Sequence, residues 1–120
     1  MIPIDIRPEA LAELHEAFAW YEEKHPGLGH QFLMAVDASL ERMRRHPRSF
    51  PVVVRGARSA VLRRFPYSVA YRFDGQVATV FAVYHGRRQP RRWADRISDV
   101  VATYAQAFSG RVPSMAPGAT

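Results

Sequence analysis

Residues 63–93 read RRFPYSVAYRFDGQVATVFAVYHGRRQPRRW, and this stretch decides the fold. From Tyr67 to Phe73, the residues Tyr67, Val69, Tyr71 and Phe73 fall on one side of an extended chain, and Ser68, Ala70 and Arg72 fall on the other. That is the period of two that a sheet imposes on successive side chains. Asp74-Gly75 then supplies residues that tolerate positive φ, as a tight hairpin turn requires. The next run, Val77 to Tyr84, carries no charge and reads as a buried strand. An earlier β segment, Ala60 to Phe65, is set off by Pro66, whose missing N–H predicts a break or an unpaired ladder position. The chain leaves its last strand through HGRRQPRRW at 85–93, which holds four arginines, a histidine and a tryptophan.

Upstream, IPIDI at Ile2 to Ile6 alternates as a short strand, ended by Arg7 and Pro8. Pro8 suits the first turn of a helix, where an N–H has no partner in any case. Leu11, Leu14, Phe18 and Tyr21 then repeat at helical spacing and predict a helix from Glu9 to His25. HPGLG at 25–29 breaks it. A second helix, from Gly29 or His30 to Arg45, is predicted to bury Phe32, Leu33, Val36, Leu40 and Met43, and the short break makes the pair an antiparallel hairpin. HPRSFP at 46–51 is a loop, and Val52 to Val54 begins a strand that RGARS interrupts. After Trp93 the pattern turns helical from Ala94 to Phe108, with Ile97, Val100, Val101, Tyr104 and Phe108 on one face. SGRVPSMAPGAT has the composition of a frayed tail. The order is β, α, α, β, β, β, α. It predicts an α+β domain whose N-terminal strand and helical hairpin precede a small, mainly antiparallel sheet, with an extra C-terminal helix. The domain is expected over residues 1–97, with a helical extension and tail over 98–120.

A chain of 120 residues builds one modest core and not two. No apolar run approaches the roughly 20 residues of a membrane span, and MIPIDIRPEA lacks the apolar stretch of a signal peptide, so a soluble cytoplasmic protein is expected. The absence of cysteine excludes a disulfide scaffold, thiol catalysis and cysteine-liganded zinc. Lys and Arg number 17 against 11 Asp and Glu, a net charge of +6, and Lys24 is the single lysine. The positive charge is therefore almost all guanidinium, the group suited to bidentate contact with phosphate or carboxylate. Glu9, Glu13, Glu16, Glu22 and Glu23 crowd the first quarter, whereas residues 42–96 hold fourteen arginines and only Asp74 and Asp95. One half of the folded chain should be basic and should favour an anionic partner.

With these elements in place, residues 63–93 resemble the ParE/RelE superfamily of bacterial toxins from toxin–antitoxin modules. The resemblance rests on the basic strand, the aromatic Pro-Tyr corner, the YSVAYRF strand, the turn, the apolar strand and the H-x-R-R-x-P-x-x-W exit. IRPEALAELHEAFAWYEEKHPGLGHQFL at 6–33 is similar to the helical hairpin of the ParE branch. The similarity runs over about residues 3 to 97. It implies a small toxin held inactive by a co-encoded antitoxin whose C-terminal segment wraps around it. ParE-like members act on DNA gyrase, and RelE-like members cleave messenger RNA on the ribosome.

Cutting a phosphodiester needs a base for the 2′-hydroxyl, an acid for the leaving oxygen and cations for the transition-state charge. Matched to RelE-like toxins, Arg88 takes the place of the exit-strand arginine. Ser68 stands where those nucleases carry an arginine, and Trp93 stands near the place of their tyrosine. An indole has no acidic hydroxyl and cannot take part in proton transfer. The resemblance thus implies a gyrase-poisoning, non-enzymatic toxin. Two alternatives stand beside it: a ribosome-dependent mRNA endonuclease using Arg88 and His85, and a non-toxic relative that only binds its antitoxin.

His85 is the acid–base candidate because its ordinary pKa suits proton transfer near neutral pH. Arg63, Arg64, Arg72, Arg87, Arg88, Arg91 and Arg92 are the candidate antitoxin- or target-binding residues, with Trp93 as an aromatic anchor. If the strand ran on to Arg88, Arg87 and Arg88 would point to opposite faces. The competing reading is that these arginines shield a sheet edge and pair with the acidic first helix while Trp93 packs on the sheet end. Phe65, Tyr67, Tyr71, Phe73 and Phe81, interleaved with arginines, have the look of a nucleic-acid stacking platform. Strand alternation places Tyr67, Tyr71 and Phe73 in the core instead. His15, His25, His30 and His46 show no ligand spacing, and GLG and DG are turn chemistry, so neither a metal nor a cofactor is expected. A homodimer or a toxin–antitoxin hetero-oligomer is expected, and residues after 97 either cover the sheet or mediate the dimer.

Overall fold

The computed structural model describes residues 1–86, 93, 94, 96 and 97. In chain order these form β1 (Ile4–Ile6), α1 (Pro8–Lys24), α2 (Leu28–Arg45), β2 (Val52–Val54), β3 (Ala57–Val61), β4 (Tyr67–Phe73) and β5 (Ala78–His85). The five strands make one sheet in the order β1-β5-β4-β3-β2. β1 runs parallel to β5, and every other pair is antiparallel. The first strand therefore lies against the last, and the helical hairpin crosses one face of the sheet between them. None of the described helices is long and apolar enough to cross a membrane.

Against that face lies the main core, built from Tyr21, Phe32, Val36, Met43, Val69, Tyr71, Val80 and their neighbours. Tyr67, Val69, Tyr71 and Phe73 all turn toward the helices, as their alternation predicts. Phe32, Val36 and Met43 are buried as expected. On α1 the inner face is rotated relative to the reading by large residues: Ala10, Ala17 and Tyr21 are buried, whereas Leu11 is 40% exposed. Alanines on the inner face let the helix lie close on β5.

Two strand readings shift. RGARS does not interrupt a strand but turns one into the next: Arg55 and Gly56, at φ 50° and 77°, form a tight turn between β2 and β3. β3 accordingly begins at Ala57 and ends at Val61, earlier than the Ala60 to Phe65 segment predicted from sequence. The β4–β5 register then slips at Ala70/Tyr71, where Phe81 is the extra residue on β5. A bulge of this kind breaks alternation. Val80 and Val83, three apart, therefore share the helix-side core, while Phe81, Ala82 and Tyr84 face the other side.

That other side carries a second, smaller core, in which Ala57, Ala70, Phe81, Ala82 and Tyr84 are covered by Trp93 and Ile97. Trp93, Ala94, Arg96 and Ile97 are helical, and so the C-terminal segment covers the sheet at this point. The rest of the helix expected to Phe108, and the tail, fall outside the described residues.

The turn between α1 and α2 is held by a side chain. The backbone N–H groups of Gly27 and Gly29 both donate to the Glu22 carboxylate at 2.9 Å. These bonds, with that from Gly27 foremost, hold the Glu22 pKa below its ordinary value. They also satisfy donors that a helix start leaves without partners.

Candidate functional site

The candidate site residues divide between two ends of the sheet. Tyr67 lies opposite His85, and the Gly86 N–H donates to the Pro66 carbonyl at 2.7 Å. His85 therefore ends its strand beside the loop that carries Arg63 and Arg64. Arg72 does not join them. It sits near the far end of β4, where a Cβ on Gly56 would lie 3.6 Å from its Nε, so its guanidinium spreads over the β2–β3 turn. Trp93, expected as an exposed anchor, is 1% exposed and packs with its ring 5.3 Å from that of Tyr84. It belongs to the second core, and its indole has no surface to offer a partner. Arg87, Arg88, Arg91 and Arg92 lie outside the described residues.

His85 opens into a groove of about 590 Å³ between α1 and the exit of the sheet. Glu13, Glu16 and Trp20 line one wall, and Tyr67 and His85 line the other, with their rings 5.3 Å apart. Trp20 is 54% exposed at the mouth, with the Lys24 ammonium 4.9 Å above its ring. Deeper in, burial pushes the Tyr21 hydroxyl pKa up, helped by Tyr67. Among the described residues the groove lining holds carboxylates and rings but no arginine or lysine. Such a lining repels a phosphodiester and does nothing to stabilise extra negative charge on it. Ser68 is buried on the sheet. Among the described residues no three His, Asp or Glu side chains gather closely enough to hold a metal ion.

One groove carboxylate is already committed. Arg96 donates through Nη1 and Nη2 to the two oxygens of Glu13 at 3.0 and 3.1 Å, and again through Nη1 to the Phe81 carbonyl at 3.0 Å. Glu13 Oε1 also accepts the Val83 N–H at 3.1 Å. β1 covers the β5 edge only as far as Val80, so this acid–base pair satisfies the next edge groups in place of a strand. Neither Glu13 nor Arg96 stood out in the sequence as a site residue. The excess of acid in the first helix was the one signal pointing to such a pair.

Arg63 and Arg64 line a separate recess of about 240 Å³ with Gln31, Met34, Ala35 and Phe65. Arg64 adopts φ 71°, which a non-glycine residue takes up only where its surroundings fix it. Neither arginine pairs with a carboxylate among the described residues, and both are exposed.

A helical hairpin on a five-stranded sheet, with the first strand parallel to the last, is the arrangement found in known proteins. The family profile described as ParE toxin of type II toxin-antitoxin system, parDE, matches residues 4–90. The chain belongs to the ParE toxin family. Toxin ParE2 of Mycobacterium tuberculosis, in strains CDC 1551 / Oshkosh and ATCC 25618 / H37Rv, is 32% identical over 87 residues. That alignment covers 72% of this chain and 83% of the relative. The solved structure titled Chromosomal ParDE TA system from P. aeruginosa superposes with a TM-score of 0.54 at 21% identity, over 71% of this chain and 96% of that one. At that identity the likeness is one of fold. The ParE match stops at residue 90, so Trp93, Arg96 and Ile97, which cover the second face here, lie past it.

Proposed function

We propose that this ParE-family chain is the toxin of a two-protein module, that a co-encoded antitoxin neutralises it, and that it poisons DNA gyrase in the cytoplasm by binding and not by cutting RNA. The observation that carries the last point is the groove at His85, whose described lining is acidic and aromatic where phosphodiester cleavage calls for cations. Ser68 and Trp93 support it, because one is a buried hydroxyl and the other a buried indole where a nuclease of the RelE kind needs an arginine and a tyrosine. Gyrase as the target follows from the ParE branch of the resemblance. The antitoxin meets Arg63 and Arg64 on the sheet-end loop, and Arg87, Arg88, Arg91 and Arg92 extend that contact from the exit.

Expression of the isolated chain tests this reading. Inhibited supercoiling and DNA-damage signalling with intact transcripts is the expected result. Cut transcripts in a translating extract would overturn it in favour of an endonuclease that uses Arg88 and His85. Unimpaired growth with neither effect would leave an antitoxin-binding relative that is not a toxin.

A further inference from the structure

The outer side of α2 has no described element packed on it. Gln31, Met34, Ala35, Ala38 and Arg42 follow one another at helical spacing along this side. Asp37 and Glu41 point away from the strip, so no carboxylate falls within it. Met34 is 70% exposed, and Val61, at the end of β3 beside the strip, is 64% exposed. Arg63 and Arg64 close the recess at the N-terminal end of the strip, and Arg42 stands at its other end.

We infer that this strip is where the antitoxin docks, through an amphipathic helix that lays its apolar side on Met34, Ala35 and Val61 and its carboxylates on Arg63, Arg64 and Arg42. The inference rests on the proposal that the chain has an antitoxin. Charge selects the occupant: the strip is apolar and cationic, so a second copy of this chain would set arginine against arginine. Local geometry selects a helix over a strand. The Arg42 guanidinium donates to the Val61 carbonyl at 3.4 Å, so the acceptor a strand would use on the β3 edge is already engaged. Small side chains at 35 and 38 let a second helix approach closely. From Gln31 to Arg42 the strip is about 16 Å long, which matches roughly three turns of the partner.

The test uses the full chain with the protein encoded by the neighbouring open reading frame, co-expressed and purified as a complex. Backbone hydrogen exchange should slow at Val61–Arg64 when the partner binds. Met34→Glu, and separately Arg63→Glu with Arg64→Glu, should each weaken binding by about tenfold or more, with the charge variant more affected at low salt. Arg72→Glu, at the other end of the sheet, should not. All three positions are exposed, so an unchanged thermal melt separates lost contact from lost folding. A complex whose affinity stays within about twofold in the Met34 and Arg63/Arg64 variants overturns the docking site while leaving the antitoxin intact. A concentration-dependent dimer of the chain alone that Met34→Glu abolishes, with partner binding unaffected, assigns the strip to self-association and also overturns it. No complex at all defeats both the docking site and the antitoxin proposal.

Discussion

Glu13 and Arg96 meet through two parallel hydrogen bonds, at 3.0 and 3.1 Å, and join the first helix to the segment that follows the exit. Glu13 bonds hold the Arg96 pKa above its ordinary value. Both side chains are mostly buried, at 28% and 15% exposure, so the pair is less screened than a surface bridge. Arg96→Met should cost about 1–3 kcal/mol, because it strands the Phe81 carbonyl and leaves Glu13 without its counter-ion. Glu13→Gln should cost less, since the amide still accepts from Val83. Urea unfolding of the two variants checks this, and equal losses would refute the role given to the β5 edge.

Trp93 is the largest side chain among those with essentially no exposure, and its Nε1 has no acceptor in the structure. Packing thus holds it in place despite an unpaired donor. Trp93→Ala should destabilise by about 3–5 kcal/mol through the cavity it leaves on the second face. Trp93→Phe should cost far less, because it keeps most of the ring and removes the orphaned N–H. Thermal melts of the two proteins would decide, and similar losses would mean that the indole nitrogen is satisfied in solution.

The contrast between these residues and the strands shows what the sequence made legible. β4 could be read to the residue because Tyr67, Val69, Tyr71 and Phe73 repeat with the sheet period, and the helical hairpin was plain from its own periodicity and its Gly-Pro break. Arg55 concealed the β2–β3 turn, because nothing local announces a positive φ in an arginine. Phe81 concealed the bulge, since an unbroken apolar run carries no phase. The divided site had the same origin. Arg63 and Arg72 lie on consecutive segments, yet a strand separates them by its length, while Glu13 and Arg96, eighty-three positions apart, are brought together by tertiary packing alone.

Two glycines two residues apart in the helical turn should respond differently to the same substitution. A Cβ on Gly29 would sit 2.8 Å from the Phe18 carbonyl oxygen and 2.9 Å from Glu22 Oε1. The backbone of α1 cannot yield easily, so Gly29→Ala should cost about 2 kcal/mol or more and pry the hairpin apart. Gly27, at φ 89°, has open space around it. Gly27→Ala should cost only about 1 kcal/mol, from left-handed strain. Denaturant midpoints that reversed this order would show that the Glu22 turn rearranges.

Alkaline pH should act through Tyr71. Its buried hydroxyl donates to the Pro47 carbonyl at 2.8 Å, and burial pushes its pKa up from 10.0 to about 12, against a smaller downward pull from Arg58. The fold thus binds this proton more tightly than the unfolded chain does. The stabilisation is fully present below pH 10 and is lost as pH rises toward about 12. Two pKa units correspond to about 2–3 kcal/mol. Tyr71→Phe should remove most of that loss, at a cost of about 1 kcal/mol near neutral pH, where the Pro47 carbonyl forfeits its donor. Tyr21→Phe is the comparison, since burial raises that hydroxyl as well. Denaturant unfolding at neutral pH and near pH 11 measures both effects, and a full alkaline loss persisting in Tyr71→Phe would place its source in another group.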